Sequence, residues 1–176
     1  WETIEHNLPD HRRADRSVLP GSRGCRIELS SSQGFQMIFI PAAILSSVLI
    51  FLSGLHFYWA AEGNWGLENA IPEKKDGVPL FAPGRSAILV VALALLGAAV
   101  VSLWRAGIFA LGPGWAPRAG VWAIAAVFAT RAVGDFRYFG FFKSVKGTLF
   151  ARNDTLIYSP LSLILSGMGV WLSLGC

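Results

Sequence analysis

Charged residues and cysteine are both scarce in this chain, and their scarcity excludes several classes of protein. Asp, Glu, Lys and Arg make up 15% of the 176 residues, whereas a soluble globular domain has about 25%. The two cysteines, Cys25 and Cys176, stand in opposite terminal regions without a C-x-x-C pair, so neither a disulfide framework nor a zinc site is supported. Because His56 is the one histidine after Met37, we predict no metal and no cofactor.

Familiar catalytic and nucleic-acid-binding patterns are missing as well. The sequence contains no nucleophile elbow, P-loop, dinucleotide fingerprint or HExxH helix, and whether the protein is an enzyme stays open. The net charge is +4, but Lys and Arg occupy short loops between apolar segments, where they orient a membrane protein and contact anionic lipid. We therefore predict the lipid bilayer as a partner and no nucleic acid.

Long apolar runs are what the chain has in abundance. A helix of about 20 apolar residues crosses the 30 Å core of a bilayer, and four runs reach this length, at about residues 38–61, 86–106, 118–142 and 155–175. These runs predict an all-α, polytopic membrane protein that forms an antiparallel bundle of four transmembrane helices over residues 37–176. We expect it in the inner (cytoplasmic) membrane as a multi-pass protein.

Residues 1–36 differ from the rest of the chain. They carry five Arg, five acidic residues and a Ser run, without apolar periodicity. One interpretation is a disordered tail, which this composition favours. The other, which we prefer, is a non-native extension of translated upstream sequence, with Met37 as the true start.

The order of the spans brings most of the distinctive polar residues to one face of the membrane. Four spans place both termini on one side, and after Met37 the first and third loops hold seven Lys and Arg against two in the second loop, which favours a cytoplasmic position for those two loops. If residues 1–36 are native, their five Arg make the count equal and leave the orientation undecided. In either orientation one pocket can collect ten candidates: His56, Trp59, Glu62, Arg131, Asp135, Arg137, Tyr138, Asp154, Tyr158 and Ser159.

Charges inside the third predicted span are its most unusual feature. Arg131 and Asp135 are four residues apart, a spacing that lets them pair on one helix face, and Arg131 is expected near mid-depth. A charge there costs about 2.5–3.5 kcal/mol on insertion scales. Three interpretations stay open: a structural ion pair, a polar pocket for an anionic group or a proton, or a misplaced span.

The other candidates also have two interpretations each. His56 can act as a general base or pH-sensitive group, or can be an imidazole hydrogen-bonded to another helix. Ser159 can face the pocket beside Tyr158, or can satisfy backbone carbonyls that Pro160 frees. Pro160 is expected to kink the fourth helix, and Asn153 or Asp154 to cap its start.

Several motifs resemble the domain-of-unknown-function family 3995 of small bacterial membrane proteins. They are, in order, His56-Phe57-Tyr58-Trp59-Ala60, Ala70-Ile71-Pro72, Gly134-Asp135-Phe136-Arg137, Phe150-Ala151-Arg152-Asn153-Asp154 and Tyr158-Ser159-Pro160-Leu161. The resemblance runs from about Met37 to Cys176 and implies a four-helix integral membrane protein without an assigned activity. Glu62-Gly63-Asn64 departs from it, since the family often has two adjacent glycines there.

Three functions remain as hypotheses, with undefined function or binding first. The pocket can bind a small anion or a lipid head group. Alternatively, the protein is a membrane-embedded enzyme in which His56 or Asp135 moves protons. A third hypothesis is a small transporter that forms a homodimer through the small-residue stripe Ala94, Ala98 and Ser102 on the second helix.

Overall fold

The computed structural model describes residues 31–74, 76 and 78–175, with side chains from residue 36 onward. The described part of the chain is helical and has no strand. Its elements are α1 (Ser31–Ala60), α2 (Leu67–Ala70), α3 (Arg85–Arg105), α4 (Trp115–Val133), α5 (Leu149–Asn153), a π-helical turn (Asp154–Tyr158) and α6 (Ser159–Leu174). The predictions for most of residues 1–36 and for Cys176 lie outside the described residues, although α1 already begins at Ser31.

Three helical segments in the described part of the chain are long and apolar enough to cross a membrane: Gln36–Ala60, Arg85–Arg105 and Leu149–Leu174. The third of these is one continuous helix made of α5, the π-helical turn and α6. The third predicted span, now α4, is not among them. It has 19 residues, and its charged residues Arg118 and Arg131 lower its mean hydropathy.

The end of α4 corrects the prediction that the third span runs to residue 142. The helix ends at Val133 because Gly134 adopts φ 85° and ψ −168°, a conformation that is essentially restricted to glycine. A Cβ on Gly134 would overlap with the Phe139 carbonyl oxygen, and one on Gly140 with the Val133 carbonyl oxygen. Residues 134–140 therefore form a tight loop, which is closed where Phe141 N donates to Ala132 O at 2.9 Å.

The last long helix starts earlier than predicted. Thr148 caps it, since the Thr148 hydroxyl accepts a hydrogen bond from Ala151 N at 3.1 Å, so Asp154 lies inside the helix and does not cap it. At Pro160 a kink was expected, and the structure has a π-helical turn immediately before it, in which Ser159 N donates to Asp154 O. Proline lacks an N–H and clashes with the carbonyl four residues earlier, and the wider turn accommodates this.

Helices α1 and α3 form one closely packed pair, and α4 and α6 form another. Serine hydroxyls bond across both pairs: Ser46 Oγ donates to Ala99 O at 3.1 Å and Ser53 Oγ to Ala92 O at 2.8 Å, while Ser166 Oγ donates to Ala125 O at 2.9 Å. Small residues allow this close approach of apolar helices.

The two helix pairs contact each other through α3 with α4 and through α1 with α6. Leu45, Leu49, Val121, Leu165 and Leu172 are buried at this junction. Of the predicted dimer stripe, Ser102 is fully buried and Ala98 packs on this core. Those two residues are therefore occupied within a single chain.

Candidate functional site

A cleft opens between the two helix pairs, at the end where α1 and α4 finish and α3 and α5 begin. It has a volume of about 730 Å³ and is lined mainly by apolar side chains of α1, α3, α4, the π-helical turn and α6, with Leu52, Leu95, Phe128, Ile157 and Leu161 among them. A smaller space of about 440 Å³ shares His56, Trp59 and Arg131 with it. We call these joined spaces the cleft.

Arg131 is the charged residue that lines both parts of the cleft. It lies in the last turn of α4, not at mid-helix as the sequence suggested. Its Nη2 donates to Asp154 Oδ1 at 2.9 Å, and its guanidinium carbon lies 5.0 Å from the centre of the Phe139 ring. The side chain is 33% exposed, and Nη1 has no hydrogen-bond partner among the described residues. The guanidinium thus keeps unused capacity to donate hydrogen bonds.

Asp154 is the buried anion of the site. It has no exposed surface and accepts from three donors: Arg131, Lys143 Nζ at 2.9 Å and Gly140 N at 2.7 Å. Lys143, whose side chain is 3% exposed, also donates to Thr155 Oγ1 at 2.6 Å. Two cations therefore share one carboxylate, and the cluster keeps one excess positive charge.

The predicted pair of Arg131 with Asp135 is wrong. Asp135 lies beyond the end of α4 and accepts hydrogen bonds from the backbone N–H groups of its own loop, those of Arg137 at 2.9 Å, Tyr138 at 2.7 Å and Phe139 at 3.1 Å. Partial burial raises the pKa of Asp135, but the donors from Phe139, Tyr138 and Arg137 together outweigh it, and the net pKa is lowered. The carboxylate thus holds the loop that presents Gly140 to Asp154.

His56 is hydrogen-bonded within its own helix and not to another one. Its Nδ1 lies 2.7 Å from Leu52 O, and because a carbonyl only accepts, Nδ1 must carry a hydrogen. Nε2 then has the lone pair of the neutral ring. The ring stands edge-on to Trp59, with 4.9 Å between centroids, and Trp59 Nε1 donates to Trp65 O at 2.9 Å. Both rings are thus held at the wall of the cleft.

Tyr158 connects the π-helical turn to the first loop. Its hydroxyl donates to Asn69 O at 3.1 Å, and its ring lines the cleft. Ser159 is fully buried, and its hydroxyl has no hydrogen-bond partner in the described part of the chain. Neither interpretation of Ser159 matches this position.

The structure thus brings together some of the predicted site residues and separates the others. The cleft is lined by four of them: His56, Trp59, Arg131 and Tyr158. Asp154 does not line the cleft but forms a salt bridge with Arg131. Five residues lie elsewhere: Glu62, which pairs with Arg85 on the surface, and Asp135, Arg137, Tyr138 and Ser159.

Lys143 belongs to the Asp154 cluster but is not among the residues predicted from the sequence. Its position in a loop indicated only a role in membrane orientation. Its position after the aromatic run that ends in Phe142 was the available signal, since a lysine held beside apolar side chains needs a counter-ion. Among the described residues no group of three or more His, Cys, Asp or Glu side chains lies close enough to hold a metal ion.

Comparison with known proteins agrees with the sequence motifs. Searches among curated proteins and among solved structures found no match. A family model described as "Protein of unknown function (DUF3995)" matches residues 49–169, a segment that contains every residue of the cleft and of the Asp154 cluster. The chain therefore belongs to the family of unknown function DUF3995.

Proposed function

We propose that this protein crosses a bacterial inner membrane with four helices and binds an amphiphile with an anionic head group in the cleft. The three apolar helices of the described chain support a membrane location. The 19 residues of α4 measure about 28 Å at 1.5 Å per residue, which is close to the thickness of the hydrocarbon core. Arg131 in its last turn then lies near the interface.

The observation that carries the proposal is the state of Arg131. Asp154 is the single counter-ion of Arg131 in the described part of the chain, and Lys143 shares it. An anionic group that enters the cleft can therefore pair with Arg131 without displacing Asp154. Charge-assisted hydrogen bonds of this kind contribute about 1.5–3 kcal/mol.

The remaining walls of the cleft favour an amphiphile over a free anion. Leu52, Leu95, Phe128 and Ile157 offer apolar surface beside the guanidinium. Small-molecule sites commonly combine such walls with a few polar groups that fix orientation. His56 Nε2 supplies a second polar group, which accepts a hydrogen bond from a hydroxyl of the head group.

Native mass spectrometry of the purified chain tests this function. Dihexanoyl phosphatidylglycerol, dihexanoyl phosphatidylcholine and inorganic phosphate are titrated in separate arms. Arg131→Gln should raise the dissociation constant of one bound phosphatidylglycerol roughly 10- to 100-fold, the loss expected for one charge-assisted bond. Arg118→Gln, which removes an exposed cation at the other end of α4, is the matched control.

Two results would overturn the proposal. One is an unchanged preference for phosphatidylglycerol in Arg131→Gln, and the other is an equal loss in Arg118→Gln. If inorganic phosphate binds to the cleft as tightly as the lipid does, the ligand is a small anion and the apolar walls do not select it.

An enzyme with a membrane-embedded substrate is the second candidate, and the tautomer of His56 favours it. With Nδ1 bonded to Leu52 O, Nε2 can take a proton from a substrate in the cleft. Asp135, the other residue considered for proton transfer, lies outside the cleft. A lipid and metabolite profile that is identical in a deletion strain and its parent would argue against catalysis.

A homodimeric transporter has less support, because its predicted contact surface is largely used within the chain. Ser102 has no exposed surface, and Ala98 is partly buried, which leaves Ala94 exposed. A dimer would need another surface.

A further inference from the structure

A second depression lies on the same end of the molecule, outside the cleft. It occupies about 630 Å³ between the loop that follows α4 and the first turns of the helix that starts at Leu149. We call it the basic groove, and it is defined by Phe141, Lys143, Lys146, Leu149, Arg152 and Leu156. Among the described residues no acidic side chain lines it, and Asp154 behind it is fully buried.

Two of its three cations are free to bind a ligand. Lys143 is buried and paired with Asp154. Lys146 and Arg152 are exposed, and neither has an ion-pair partner within the described residues. The groove therefore presents two unpaired positive charges, which attract an anion.

The depth of the groove along the helix points to the head-group region of a membrane. The helix Leu149–Leu174 has 26 residues and is about 39 Å long at 1.5 Å per residue, which exceeds a hydrocarbon core of about 30 Å. Arg152 lies in the first turn of this helix. A helix of this length that crosses the core can therefore place the Arg152 guanidinium at the level of the lipid phosphates.

The rim of the groove is apolar. Phe141 is 44% exposed, Leu149 68% and Leu156 64%. Exposed apolar side chains next to unpaired cations match a lipid at the interface, whose acyl chains lie directly beside its phosphate. A soluble anion would gain nothing from these three side chains.

We propose that the basic groove binds the head group of an anionic phospholipid. Lys146 and Arg152 pair with the phosphate, and Phe141, Leu149 and Leu156 contact the first methylene groups of the acyl chains. The groove is separate from the cleft, because the two share no lining residue.

Native mass spectrometry with dioleoyl phosphatidylglycerol and dioleoyl phosphatidylcholine tests the groove on the full chain. A cation near the surface of an anionic membrane contributes about 1 kcal/mol of binding free energy. The double variant Lys146→Gln with Arg152→Gln should therefore raise the dissociation constant of one bound phosphatidylglycerol roughly 30-fold. Phosphatidylcholine binding should stay unchanged. The control is Lys74→Gln with Arg118→Gln, which alters the net charge equally at exposed positions away from the groove.

The outcomes separate this site from the cleft. Arg131→Gln must leave the lipid bound in the groove, and the double variant must leave the ligand bound in the cleft. The proposal for one site can therefore be refuted while the other stands. An equal loss of phosphatidylglycerol affinity in the control pair would overturn the proposed site. The effect would then come from the net charge of the protein and not from the position of Lys146 and Arg152. Competition by inorganic phosphate at the affinity of the lipid, or unchanged binding in Leu149→Asn with Leu156→Asn, would overturn the contact with acyl chains.

Discussion

Replacing Asp154 with Asn gives the sharpest test of the charge cluster. Asn keeps the shape of the side chain but removes the charge that two cations share. Lys143 is 3% exposed and has no other acid near it in the described chain. Removing one partner of a buried ion pair costs about 3–5 kcal/mol. We expect Asp154→Asn to lower the free energy of unfolding by an amount within this range and not beyond it, because the amide oxygen of Asn can still accept one hydrogen bond.

A second substitution tests whether the lost stability comes from the buried Lys143 that is left without a counter-ion. Adding Lys143→Met to Asp154→Asn replaces the unpaired cation with an apolar side chain of similar length. The double variant should therefore be more stable than Asp154→Asn alone, with a coupling energy of about 0.5–3 kcal/mol. Arg131 is 33% exposed and can be hydrated without its partner.

Reversible unfolding of the chain in mixed micelles, followed by circular dichroism during titration with sodium dodecyl sulfate, measures these free energies. Asp76→Asn in the exposed first loop is the control and should stay within about 0.5 kcal/mol of the wild type. A destabilisation of less than about 1 kcal/mol in Asp154→Asn, or a further loss of stability on adding Lys143→Met, would refute the cost of an unpaired Lys143.

Two further predictions concern the loop after α4. Gly134→Ala should destabilise the chain by at least about 1–3 kcal/mol, because alanine rarely adopts φ 85° and its Cβ would overlap with Phe139 O. Gly54→Ala, where a Cβ meets nothing within 4 Å, should be neutral or stabilising in the same unfolding assay. Asp135 has a pKa below its ordinary value of 3.8, so its contribution to stability is present above that pH and is lost as the pH falls further. Unfolding free energies measured from acid to neutral pH should show this loss in the wild type, and an equal acid slope in Asp135→Asn would contradict it.

The sequence was sufficient to find the apolar helices but not the end of α4. Residues 136–142 continue the aromatic and apolar composition of the helix, so hydropathy extended the span to Phe142. The chain turns at Gly134 instead, where the backbone conformation and the hydrogen bonds to Asp135 stop the helix. Gly and Asp are both residues that favour turns, and here the turn ends the helix although apolar residues follow it.

The partner of Arg131 could not be read from local spacing. The spacing of four residues predicted Asp135, yet the carboxylate that binds Arg131 is 23 residues away in sequence. Only the packing of α4 against α6 brings it there. His56, Trp59 and Tyr158 were predicted to lie together because the order of the helices places their segments at one end of the molecule, and in the structure all three line the cleft.

Photochemical crosslinking gives the most direct test of the anion-binding cleft. A phosphatidylglycerol with a diazirine in its acyl chain is incorporated with the wild-type chain into nanodiscs and irradiated, and the labelled peptides are mapped by mass spectrometry. Binding in the cleft predicts adducts at the half-buried Phe128 and Leu161 that disappear in Arg131→Gln, while adducts at the exposed Leu93 and Ile164 persist. Labelling at Leu93 and Ile164 alone, or cleft adducts that survive Arg131→Gln, would contradict the role of Arg131 in binding the head group.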